Sequence, residues 1–162
     1  MAKFSTSNGL AGTPQAMTTS NKSIVSVLGA ASAPRRGKIY DLMFGTIGTP
    51  ADTAFIYNIL TMTADDGTKT NVTPNPLDPA DAAATTLSRA NFTAEGTVGA
   101  ATTSRFYVGV NQRASYRWVA APGSEIVWAA TANTGYVVVG QGPSGGGSGT
   151  AATGVTLLFE EQ

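Results

Sequence analysis

The strongest constraint in this sequence is its punctuation. From Lys22 onward, short runs rich in Val, Ile, Tyr, Phe and Thr are separated every few residues by Gly, Pro, Asn or Asp, a spacing that suits strands and turns rather than helices. Eight runs qualify as strands, at residues 22–28, 38–46, 53–64, 103–110, 114–120, 125–131, 135–141 and 154–160. The fold this predicts is all-β: a single-domain antiparallel β-sandwich. A chain of 162 residues is long enough to bury about two-thirds of its unfolded surface without staples. Eight strands suit a jelly roll in number, and an immunoglobulin-like sandwich would use almost the same pattern.

Within the strands, alternation assigns faces. In KIYDLMF, Tyr40, Leu42 and Phe44 are expected on one side. In AFIYNILTMT, Phe55, Tyr57 and Ile59 face one way and Ile56, Leu60 and Met62 the other. A strand apolar on both faces belongs in the middle of a sheet or under a neighbouring chain.

The turn residues then suggest connections. Asp65-Asp66-Gly67 reads as a hairpin turn with solvated aspartates, and Pro122-Gly123 as a type II turn. With Asn133-Thr134-Gly135 closing the next pair, residues 114–141 are expected to form a three-stranded meander. One helix is expected from Asp78 as N-cap, through Pro79 at the first helical position, to Leu87 or Ser88. It would lie in a long excursion at 71–99 that has no other regular pattern. Residues 142–153 are a flexible linker by composition. Residues 1–20 lack core periodicity and read as an extended N-terminal arm ordered by contact with another chain, which leaves 21–162 as the β-sandwich domain.

Chemistry is sparse. The chain contains no His and no Cys, so disulfides, thiolate zinc sites and the commonest general acid–base residue are all missing. Ser and Thr abound, but a hydroxyl without a base partner is not a nucleophile. Gly145-Gly146-Gly147 precedes neither a Lys-Ser/Thr pair nor a helix, so it is no phosphate cradle. The chain is therefore read as a non-enzyme with no catalytic residue, no metal site and no cofactor.

Lys and Arg balance Asp and Glu at ten each, and charged residues make up 12% of the chain, about half the usual share. Zero net charge argues against nucleic acid and anionic membrane as general partners. No apolar run is long enough to span a bilayer and no export signal is visible.

What remains is a set of candidate contact residues. Arg35 and Arg36, followed by Lys38, form the densest basic cluster, either a solvated loop or a contact to an acidic protein surface. RASYRWVAAPGSEIVW gathers Arg113, Tyr116, Arg117, Trp118 and Trp128 around one turn. Tyr116, Trp118 and Trp128 could meet as a cross-strand core cluster. Alternatively some of them, with Arg113 and Arg117, anchor a protein interface, where Trp, Tyr and Arg are enriched.

RASYRWVAAPGSEIVWAATANTG, with LDPADAAATTLSRANFTAEGT and the closing TLLFEE, resembles the small head decoration, or cement, proteins of tailed bacteriophages over roughly residues 38–161. The resemblance implies a β-sandwich or jelly roll, made in the host cytoplasm, that sits as a homotrimer on the capsid exterior. Its implied partners are the major capsid protein and further copies of itself, and its implied role is to lock capsomers together. No binding residue carries over from the family. A phage tail or fibre component and a carbohydrate-binding β-sandwich module are the alternatives. The second would display Trp118 or Trp128 flat on a concave face.

Overall fold

The computed structural model describes residues 1–143 and 151–162. Residues 144–150, most of the expected linker, lie outside the described residues. Thirteen strands follow in chain order: β1 (Lys3–Ser7), β2 (Gln15–Ala16), β3 (Lys22–Leu28), β4 (Gly37–Ile47), β5 (Ala54–Met62), β6 (Thr68–Val72), β7 (Asn75–Pro76), β8 (Leu87–Ala94), β9 (Phe106–Asn111), β10 (Tyr116–Val119), β11 (Ile126–Trp128), β12 (Gly135–Gln141) and β13 (Ala152–Glu161). All eight runs read from the sequence are strands. Among the described residues there is no α-helix, only two short 3-10 turns at Asn8–Ala11 and Ala101–Thr103.

The strands form two antiparallel sheets. Sheet A has the order β10-β4-β13-β1-β7, with β11 also on β4 and β2 on β13; sheet B has the order β6-β8-β3-β12-β5-β9. Strands consecutive in the chain never pair with each other. The pairings are nested instead: β3 with β12, β4 with β10 and β11, β5 with β9, β6 with β8. The chain from Lys22 to Gln141 is thus one long fold-back wrapped around the core.

The inner faces meet in one cluster that includes Phe4, Leu42, Phe44 and Phe159 from sheet A and Ile24, Phe55, Tyr57 and Val138 from sheet B. Tyr40 is not among them. The β4–β13 register slips between Leu158 and Phe159, which pair with Asp41 and Ile39. Tyr40 is the extra residue of this β-bulge, and Ile39, Leu42 and Phe44 become the inward set.

The N-terminal segment is not a separate arm. β1 lies between β13 and β7 inside sheet A, and Phe4, 1% exposed, stacks on Phe159 at 5.5 Å between ring centres. The buried Asn8 side chain donates to the Thr153 carbonyl and accepts from the Val155 N–H, both at 2.8 Å. Isolated apolar residues were enough to bury this segment because its polar residues have partners inside the sandwich.

The expected helix is also replaced. Asp78 does hold the Ala80 N–H at 2.9 Å, and Asp81 N–H reaches the Asp78 carbonyl at 3.0 Å. The turn stops there, and residues 87–94 instead complete the β3 and β6 ladders as β8. Tertiary pairing outweighs a capping signal worth about 1 kcal/mol.

The meander does not form. Pro122-Gly123 is a type II turn, with Gly123 at φ 85° and the Ser124 N–H on the Ala121 carbonyl at 2.8 Å. Yet β10 and β11 both lie on β4, one after the other along the same edge, and β12 belongs to the other sheet. Ala120 N–H bonds the Tyr40 carbonyl at 2.9 Å, so β10 is committed to β4 right up to the turn. The eleven residues of β4 are long enough to take both partners. Asp65-Asp66-Gly67 is likewise not a hairpin, since β5 and β6 are far apart in sheet B.

Candidate interface on the uncovered sheet

The outer faces of the two sheets differ. On sheet B, Leu28, Leu60, Met62, Phe92, Val137 and Val139 form a second buried cluster. It is sealed by the chain's own crossovers, residues 63–67 and 95–105. Asp66 accepts from the Thr97 N–H at 2.6 Å and its hydroxyl at 2.5 Å, Gly99 N–H bonds the Thr61 carbonyl at 2.8 Å, and Val98 packs on the cluster. Glu95 ties the second crossover down through the Ser23 N–H at 2.7 Å and Lys22 at 3.4 Å. The two-sided apolar strand β5 therefore sits inside its sheet, and its outer face is covered by its own chain.

The first crossover is held by ions. Asp65 accepts from Arg89 Nη2 at 2.7 Å and lies 3.0 Å from Lys69 Nζ. Burial pushes its carboxyl up, but hydrogen bonds and charge from Arg89 and Lys69 outweigh that and hold it below the usual aspartate value. Asp65 is a partly buried structural partner rather than the solvated turn residue expected from the sequence, while Asp66 is exposed as expected and still holds Thr97. Asp66 is lowered too, by its hydrogen bonds from Thr97.

Among the described residues, no crossover covers the outer face of sheet A in the same way. Met43, Val119 and Val127 are exposed there on β4, β10 and β11, and Tyr40 and Leu158 are half-buried. Its charges are arranged in depth. Arg117 is 61% exposed at the side chain and lies over Asp41, which is 4% exposed; Nε and Nη2 donate to the carboxylate at 2.5 to 3.1 Å. The hydrogen bond and charge of Asp41 raise the Arg117 value further above its ordinary one. Lys38 spans Glu125 at 3.6 Å and the buried Glu160 at 3.8 Å, and Lys3 stands over the Tyr40 ring at 5.5 Å. Three cations, Arg117, Lys38 and Lys3, and three carboxylates, Asp41, Glu125 and Glu160, are thus set around an apolar centre.

The residues singled out from the sequence separate. Trp128 is core: 2% exposed, against Phe159 at 5.8 Å, with its ring where a Cβ on Gly37 would stand, 2.1 Å away. Trp118 is half-buried against Phe106 at 5.6 Å. Tyr116 sits at the edge, 6.2 Å from Phe44 and 6.3 Å from Phe106. The three rings do not form one cluster, because β10 and β11 lie end to end rather than side by side. Arg117 is on the uncovered face, and Arg113 is exposed between β9 and β10.

Arg35 and Arg36 lie elsewhere, before β4, where the Gln162 N–H bonds the Arg36 carbonyl at 2.8 Å. Arg35 borders a cavity of about 320 Å³ with Phe4, Ala82, Thr85 and Glu161. The Glu161 carboxylate in its wall is already engaged by the Thr86 N–H and the Thr85 hydroxyl. Sequence reading missed Met43, Val119 and Val127 as surface contacts. The available signal was their position opposite the core residues of each strand.

No group of three acidic, His or Cys side chains is placed to hold a metal among the described residues. Comparison of the chain with protein-family models, curated proteins and solved structures gives no match.

Proposed function

We propose that this chain is a structural virion protein, a decoration or cement protein that coats the exterior of a bacteriophage capsid and ties neighbouring capsomers together as a homotrimer. One observation carries the reading. Sheet B is sealed by its own crossovers, whereas sheet A leaves Met43, Val119 and Val127 open beside oriented charges. Apolar side chains gathered on one face with an Arg anchor suit a protein partner. The nested strand pairing supports the jelly-roll form of the sandwich, in which a long fold-back is wrapped around one core.

The glycan-binding alternative has less support, since Trp128 is buried and Trp118 is half-buried with its ring tilted against Phe106. The test is co-sedimentation of the purified protein with heads of the encoding phage that lack it. Met43→Glu and Val127→Glu should abolish binding without lowering the melting temperature. Heads that never bind the wild-type protein would sink the proposal.

A further inference from the structure

Charges without an ion-pair partner occur at two margins of the sandwich. Among the described residues, neither Arg105 nor Arg113 has a carboxylate within 4.0 Å. They flank β9, the free edge of sheet B, and Arg113 leads into β10, the free edge of sheet A on the same side. Arg117 adds a half-used fork here: Nε and Nη2 are held by Asp41, and Nη1 makes no hydrogen bond among the described residues. The one carboxylate of this margin, Asp52, accepts from Asn111 at 2.8 Å. Val119 is exposed on the same face of β10 as Arg117, while Tyr116 is exposed at the seam beside Phe106.

The opposite margin of sheet A carries, among the described residues, two unpaired aspartates. After β7 the chain runs Leu77-Asp78-Pro79-Ala80-Asp81, and neither aspartate has a cation within the same 4.0 Å. Leu77 is 49% exposed between two prolines, with its N–H fixed on the Lys3 carbonyl at 2.8 Å. Arg35 lies behind this loop at Ala82 and Ala83 and bridges to neither aspartate.

We infer that a second copy of this chain docks its 77–81 loop on the β9–β10 margin. Leu77 covers Val119, and Asp78 and Asp81 take Arg113 and the free Nη1 side of Arg117. Both partners are already oriented, the loop by its prolines and the guanidinium by Asp41, so little freedom is lost on docking. The surfaces lie at opposite margins, so the contact is heterologous, and repeating it builds a ring where the rotation between copies closes. This rests on the proposed function only in taking the chain as part of an assembly.

Sedimentation velocity on the purified full chain across the micromolar range tests it. Asp81→Lys and Arg113→Glu should each weaken association about tenfold or more, and the two together should restore most of it. Leu77→Ser, which leaves every charge in place, should weaken it too, with all melting temperatures unchanged. A wild-type chain that stays monomeric overturns the inference, as does an oligomer indifferent to these changes or a charge swap that restores nothing. Binding to heads is scored separately with the sheet A variants. A failed swap with intact head binding thus removes this contact and leaves the coating role standing.

Discussion

Arg117 on β10 clamps Asp41 on β4 through Nε and Nη2, so that an exposed guanidinium roofs a carboxylate only 4% exposed at its side chain. The pair is asymmetric. Removing Arg117 strands a buried charge, whereas neutralising Asp41 leaves an arginine that water can solvate. Arg117→Ala should therefore lower the melting temperature more than the double change Arg117→Ala with Asp41→Asn. Equal melting temperatures for the two would show that the pair is not coupled.

The N-terminal residues should be essential for folding. Phe4→Ala removes a fully buried ring and should cost about 3–5 kcal/mol, and Asn8→Ala leaves two backbone groups of β13 unpaired, for about 2–3 kcal/mol. Deleting residues 1–20 takes an interior strand out of sheet A and should leave an insoluble or unfolded chain. A truncated protein with a cooperative melt near that of the full chain would contradict this.

Glu95 should govern the seal over sheet B. Glu95→Ala removes the bond to the Ser23 N–H and the Lys22 ion pair, for about 1–2 kcal/mol in urea unfolding. Amide exchange should quicken first across residues 95–105. Uniform exchange changes over the whole chain would place the seal elsewhere.

Acid should loosen the first crossover. The folded value of Asp65 is below the ordinary 3.8. Its contribution to stability is present above that ordinary value and is lost as pH falls through the lower folded value. Asp65→Asn should be less stable than wild type at neutral pH, and the gap should close toward pH 3. A gap that is constant from pH 7 to pH 3 would mean that Asp65 acts through shape alone.

Folding should be slow for a chain of this size. Every ladder joins strands distant in sequence, and β13 must arrive before β1 and β4 have their partners. Stopped-flow refolding is expected in the range of about milliseconds to seconds, and a chain ending before β13 should not fold. Microsecond refolding would show that local structure forms the nucleus.

The sequence by itself determined the strands that carry their own signal. β3 and β12 match their expected bounds residue for residue, because each is a dense apolar run closed by turn residues. The lack of His and Cys was equally plain, since composition decides it. The Pro122-Gly123 turn type was legible too, as it depends on two residues alone.

Partnership was not legible. β1, β6 and β8 are half polar, and they are strands because Phe4, Val72 and Phe92 find neighbours far along the chain. Residues 78–88 carried a helix signal, yet only a turn forms at Asp78 and the stretch ends in the β3 ladder at Leu87 and Ser88; the tryptophans shared a motif yet went to separate places along β4. The open face around Arg117 exists because the crossovers turn back over sheet B and not over sheet A. Local sequence fixes which residues can extend and which must turn, within a few residues of chain. Which strands pair, and which face stays open, depends on the packing of the whole sandwich, whose contacts join residues more than a hundred positions apart, as Thr153 and Asn8 do.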